Sequence, residues 1–154
     1  EYLAEREPRM WPTDPLARAR ARSVAAEMHA GFTALRTAMP MNLKFTLKGK
    51  PAEGELRRDI ERVIAIWEDA RQHFAANADG GPYLFGAFSI ADAMFAPVVW
   101  RLHIYNVPLP PIAAAYRDTM LAHPAMKEWY DAALKETEAH AHYDAVAAEY
   151  GGPR

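Results

Sequence analysis

The 154 residues contain no cysteine. Disulfides, thiolate-held metals and a thiol nucleophile are therefore excluded from this chain. The composition fits a reducing compartment, and a cytoplasmic location is expected. Charge of one sign is not in excess either. Eighteen Lys and Arg stand against 20 Asp and Glu, for a net charge of −2, which offers no footprint for nucleic acid or an anionic membrane. No apolar run reaches the length of a membrane span, and no secretory signal pattern opens the chain. A glycine-rich phosphate loop, a Ser/His/Asp order and a paired-carboxylate motif are all missing. The histidines do not suggest a metal site. His140 and His142 diverge on a helix, and His73, His103 and His123 have no partners at ligand spacing. No stretch alternates convincingly for a strand.

What remains is helical. Apolar residues make up 51% of the chain, enough for one soluble domain with a core of its own. The chain opens on Glu1 rather than methionine, which predicts a segment of a longer protein or a processed product. EYLAER reads as the tail of a helix, and EPRMWPTDP, with three prolines in nine residues, as a linker. A first long helix is predicted from Pro15 to Met39, capped by Asp14 and ended by Pro40. Its stripe is Ala17, Ala21, Val24, Met28, Phe32, Leu35 and Met39. PMNLKFTLKGKP then reads as a basic loop. A second amphipathic helix spans about Ala52 to Ala76, with Leu56, Ile60, Val63, Trp67, Ala70 and Phe74 inward, and NADGGP stops it. A third, from Ser89 to about Tyr105, has no charge between Ala93 and Trp100 and is expected to be covered on every side. Pro97 lies inside it and predicts a bend. Two more helices follow Pro110-Pro111 and Pro124. The tail from Glu138 is helix-capable. The fold class is all-α: a bundle of about five to six helices around a buried central one.

Asp92 is the single charge at the head of that central helix. Ser89-Ile90-Ala91-Asp92 fits the capping box, in which the hydroxyl and the carboxylate satisfy each other's backbone N–H groups. Water cannot serve those donors in a buried helix. A folding role is the reading for Ser89 and Asp92; a carboxylate facing a cleft as acid or base is the alternative.

Four stretches, in order along nearly the whole chain, resemble the C-terminal helical domain of the cytosolic glutathione transferases of bacterial type. YLFGAFSIADAMFAPVV resembles the family's Leu-x-Gly…Ser-Ile-Ala-Asp segment. EMHAGF resembles its Glu-Leu-His-x-Gly-Phe stretch, HPAMKEWYDAAL its His-Pro…Trp helix start, and EYLAEREP the end of its amino-terminal domain. The resemblance implies that residues 1–13 are the end of that domain and a linker, and that 14–154 are the helical domain. The thioredoxin-like domain, which binds glutathione and activates its thiol, is not in this chain. No catalytic residue is expected here, and this segment alone is expected to be inactive. The parent would be a detoxifying transferase that adds glutathione, its co-substrate, to small electrophiles, or an isomerase or reductase of the same kind. A homodimer is implied. Apolar residues outside the main stripes (Ala25, Ala26, Ala30, Ala34 and Ile66) are available for its interface. The alternative is a non-catalytic interaction module, since fold does not fix function.

By the same resemblance His29 corresponds to the histidine that borders the glutathione site, although Ala30 stands where a lysine commonly follows. His29 either donates to ligand or is a surface histidine. Phe32 shares its face, as pocket wall or core. Arg101, the first charge after the apolar run, aligns with a pocket-lining position. It either meets an anionic group or lies on the surface. Tyr105, four residues on, either closes the pocket or packs the helix end. Arg18, Arg20 and Arg22 read as a solvated face, with subunit salt bridges or an anion site as the alternative.

Overall fold

A computed structural model describes residues 1–47, 51–75 and 81–153. The central element is helix α5 (Ile90–Ile104). Its uncharged middle has neighbours on all sides: Phe95, Val98, Val99 and Leu102 have no exposed surface. Pro97 is accommodated inside it, and the helix continues to Ile104. Helix α2 (Pro15–Ala30) and helix α6 (Pro111–Ala122) pack on it, and α6 also packs on helix α4 (Gly54–Ala70). Burying these faces is the main driving force for assembly. Trp67 of α4 meets Phe95 and Tyr116 edge-on, with ring centroids 6.1 and 4.9 Å away, so three elements share one aromatic contact. Short α1 (Tyr2–Arg6) precedes the bundle, and α7 (Pro124–Lys135) and α8 (Ala141–Tyr150) complete it. Six of these helices have ten or more residues.

The long helix expected over Pro15–Met39 is two helices. α2 ends at Ala30 and α3 (Thr33–Ala38) starts after a break. Gly31 is extended, and Phe32 takes the left-handed conformation at φ 59°, ψ 38°. The break preserves the apolar stripe: Met28, Phe32, Leu35 and Met39 are all buried. Periodicity therefore read the burial correctly and missed the interruption. The C-terminal carbonyls of α2 lose helical partners at the break. The Arg36 guanidinium takes over the carbonyls of Met28 and His29, the latter at 3.0 Å. Gly31 donates its N–H to the Glu27 carbonyl at 2.8 Å, and a Cβ on Gly31 would sit 2.8 Å from that same oxygen. Only glycine fits there without a shift.

The loop expected at PMNLKFTLKGKP contains a strand, β1 (Phe45–Leu47), which pairs antiparallel with β2 (Gly151–Pro153). Three residues are too few to show a period, and Gly-Gly-Pro has no side-chain pattern to read. Of the three lysines expected to make this loop basic, Lys44 is described, and Lys48 and Lys50 lie outside the described residues. So do Ala76 and most of the NADGGP stop. The α-helical part of the second helix ends at Ala70, and residues Arg71–Ala75 continue as a π-turn.

Candidate functional site

Ser89 is the N-cap of α5, in extended conformation, and forms the capping box with Asp92. Its N–H and its hydroxyl both donate to Asp92 Oδ2, at 2.9 and 3.1 Å. The other oxygen, Oδ1, accepts from the Leu84 N–H at 3.0 Å and from the Tyr116 hydroxyl at 3.1 Å. One carboxylate thus fastens the 83–86 turn, the start of α5 and helix α6. Asp92 has no exposed surface, so it faces no cleft. Burial pushes its pKa up, and the four hydrogen bonds pull it down. Burial, and after it the Asp92 charge, pushes the Tyr116 hydroxyl well above the ordinary tyrosine range.

The residues expected to border ligand lie around the α2–α3 break and the end of α5. His29 is exposed on the last turn of α2. Phe32 sits in the break itself and is buried. Arg101 is half-buried. Its Nε donates to the Met39 carbonyl at 2.9 Å and its Nη1 to the Pro97 carbonyl at 3.1 Å. Tyr105 is 1% exposed and donates its hydroxyl to the Pro40 carbonyl at 3.1 Å. Burial pushes that hydroxyl up to about 12. Arg101 and Tyr105 therefore come together on one segment, Met39–Pro40, and clamp it to α5. Of the two readings given for each, pocket wall or packing, Phe32 and Tyr105 are both buried in the core.

Sequence reading missed Arg36. Gly31, a glycine inside the expected helix, was the available sign that carbonyls would be freed and that a nearby donor would be recruited. Reading also missed the partners of the α2 arginines. Arg20 bridges to Asp69 of α4 at 2.7 Å and Arg22 to Glu1 at 2.6 Å, while Arg18 donates to the Pro12 and Thr13 carbonyls. Arg62 of α4 forks onto Glu27 of α2, and that contact holds the Glu27 carboxyl below its ordinary range. Of the apolar residues set aside for a second subunit, Ala25 and Ile66 are buried in the chain's own core, and Ala26 and Ala30 are exposed.

A cleft of about 650 Å³ lies elsewhere. Met41, Leu43, Lys44 and Phe45 form one side, and Trp129 of α7 and Tyr143 of α8 are on the other. Its size suits a small organic molecule. Asn42 donates to Asp144 at 2.9 Å, and Lys44 Nζ to the Glu136 carbonyl, which ties β1's approach to the α7–α8 connection. None of His29, Phe32, Arg101 or Tyr105 lines it. Among the described residues no three His, Asp or Glu side chains are placed to hold a metal, and no helix is long and apolar enough to cross a membrane.

No curated protein sequence matches the chain. The family model of the glutathione S-transferase C-terminal domain matches it over residues 17–132, a span that begins in α2 and ends in α7. With the enclosed α5, the capped Asp92 and the helical shell around them, that match shows that the chain belongs to the glutathione S-transferase C-terminal domain family.

Proposed function

We propose that this chain is the helical half of a cytoplasmic glutathione transferase. It supplies the electrophile-side wall, while a thioredoxin-like domain binds glutathione and activates its thiol. The observation that carries this reading is the family match over 17–132. Thiolate formation and attack on the electrophile belong to the other domain, so this chain contributes positioning and desolvation. His29, exposed at the end of α2, is the residue offered to glutathione. Arg101 is offered to the electrophile, with Phe32 and Tyr105 supporting the wall from behind. Two copies meet through α2 and α4. Residues 1–13 lead in from the other domain.

The test uses the parent protein with both domains. It should be retained on immobilised glutathione and form a thioether with 1-chloro-2,4-dinitrobenzene. Absence of both would overturn the enzyme reading. Sedimentation showing monomer alone at micromolar concentration would overturn the dimer.

A second reading has one observation in its favour. Two of the four candidate wall residues are buried, and the cleft beside Met41–Phe45 involves none of the four. That arrangement suits a non-catalytic interaction module, which would show folded dimers and no thioether product.

A further inference from the structure

The cleft of about 650 Å³ is walled by stretches far apart in sequence. Pairing of β1 with β2 sets Phe45 opposite Pro153 and brings the Met41–Phe45 stretch beside α8. Trp129 stands on α7, residues 136–140 connect α7 to α8, and Tyr143 stands on the first turn of α8. Hydrogen bonds from Asn42 to Asp144 and from Lys44 to the Glu136 carbonyl fix these stretches to one another. The walls are aromatic and soft, with Met41, Phe45, Trp129 and Tyr143 among them. Tyr143 stays 42% exposed although its ring stacks on His140, with centroids 4.2 Å apart and planes 17° from parallel. Aromatic side chains on a concave wall attract apolar bodies and, through the ring quadrupole, cations. The charge of the lining is negative. Glu136, Glu138 and Asp144 stand against Lys44, and His140 is the other basic side chain. The Lys44 ammonium is already taken up by backbone: it donates to the Glu136 carbonyl and to that of Glu138, the latter at 3.5 Å. Glu136 Oε1 is occupied locally by the N–H groups of Thr137 and Glu138, at 2.9 and 3.1 Å. The other two acids keep oxygens in reserve. Among the described residues Asp144 accepts from Asn42 through Oδ1 alone, and the Glu138 carboxylate accepts from no donor. Acids with unused oxygens beside aromatic rings complement a cation with an apolar body and repel an anion.

We propose that this cleft binds a small organic cation, an ammonium group carried on an apolar ring system. Glu138 and Asp144 supply the counter-charge, and Phe45, Trp129 and Tyr143 supply the seat. The site is one of recognition, with no bond made or broken in the ligand. The inference rests on the lining of the cleft and not on the transferase reading.

Calorimetric titration of the 154-residue chain with naphthalenes of similar size and different charge tests this. The probes are 1-naphthylmethylamine, an ammonium ion at neutral pH, the uncharged 1-naphthylmethanol, and the anion 1-naphthoate. The amine should bind roughly tenfold tighter than the alcohol, and naphthoate more weakly than either. Added salt should narrow the gap. Glu138→Gln, at an exposed position, removes a charge without breaking a side-chain hydrogen bond among the described residues, and alone it should cut the preference for the amine roughly threefold. Asp144→Asn keeps an oxygen for Asn42. The two changes together should bring amine and alcohol to about equal affinity. Trp129→Leu should weaken the amine more than the alcohol. Circular dichroism checks that each variant is folded, and Glu138→Gln decides the matter if the double variant is not. Equal binding of all the probes by wild type, no binding of any, tighter binding of naphthoate through Lys44, or an amine preference untouched by the loss of the carboxylates would each overturn the proposal. The dinitrobenzene assay reads a different reaction, so it can fail or succeed independently of this result.

Discussion

The Tyr116 hydroxyl donates to Asp92 Oδ1 at 3.1 Å, so a side chain from α6 completes the cap of α5. The cap is therefore a tertiary contact as well as a local one. Tyr116→Phe removes one donor from a buried carboxylate that keeps three others. It should cost about 1–2 kcal/mol, read as a lower urea midpoint with an unchanged slope. Asp92→Ala strips the acceptor from four donors at once and should cost about 2–4 kcal/mol. Asp92→Asn should fall between the two, because its amide nitrogen cannot accept. An Asp92→Ala protein that melts like wild type would remove the cap from the account of the fold.

Gly31→Ala forces a methyl group to within 2.8 Å of the Glu27 carbonyl oxygen, a backbone atom that cannot swing away. The expected loss is about 1–3 kcal/mol, seen in thermal melts. Glycine at this position sets where α2 stops and so where Phe32 and His29 lie. If the variant were as stable as wild type, α2 and α3 could join into one rod, and the break would not be a requirement of the fold.

The Glu27–Arg62 bridge gives a pH dependence with a definite sign. Hydrogen bonding to Arg62 lowers the Glu27 pKa from its ordinary 4.5. The stabilisation is then present above that value and is lost as pH falls through the lowered one. Both side chains are partly exposed, so screening limits the effect to about 0.2–1 kcal/mol. Glu27→Gln should be less stable than wild type at pH 7, and the difference should shrink as the pH falls below the ordinary carboxylate range. A difference that persisted undiminished in acid would mean that the carboxylate charge is not its source.

At the alkaline end Tyr105 acts in the opposite direction. Its hydroxyl is raised to about 12, so the protonated form favours the folded state. That contribution is complete below pH 10, the ordinary tyrosine value, and fades as pH rises through 12. Ultraviolet titration should show Tyr105 and Tyr116 both ionising late in the folded protein, and Tyr105→Phe should remove one of the two. The same change should cost about 1 kcal/mol at pH 7 through the lost bond to Pro40.

The sequence made the helical class and the enclosed α5 legible because both depend on patterns that one element shows by itself. Leu56, Ile60, Val63 and Trp67 face inward because their spacing matches the helical turn, and the structure buries all four. The Ser89–Asp92 spacing was equally local, but the Tyr116 and Leu84 contacts to the same carboxylate were not. Nothing in the order of residues says which distant hydroxyl arrives. The α2–α3 break was hidden because a left-handed Phe32 kept its place in the apolar stripe. For the candidate site the limit was direction. Spacing placed Arg101 and Tyr105 on one side of α5 but gave no sign that both would turn to the carbonyls of Met39 and Pro40. The strand pairing escaped for want of length.

The pairing of Phe45–Leu47 with Gly151–Pro153 has a further consequence for the order of assembly. A ribosome makes the first strand long before the second exists. Helices α2 to α7 can gather around α5 during that delay, because their contacts join elements already synthesised. The cleft at Met41–Phe45 then closes after the bundle, when β2 emerges and α8 is drawn across. Protease sensitivity near Phe45 during synthesis should therefore outlast that of the bundle, and it should vanish once translation has passed Pro153.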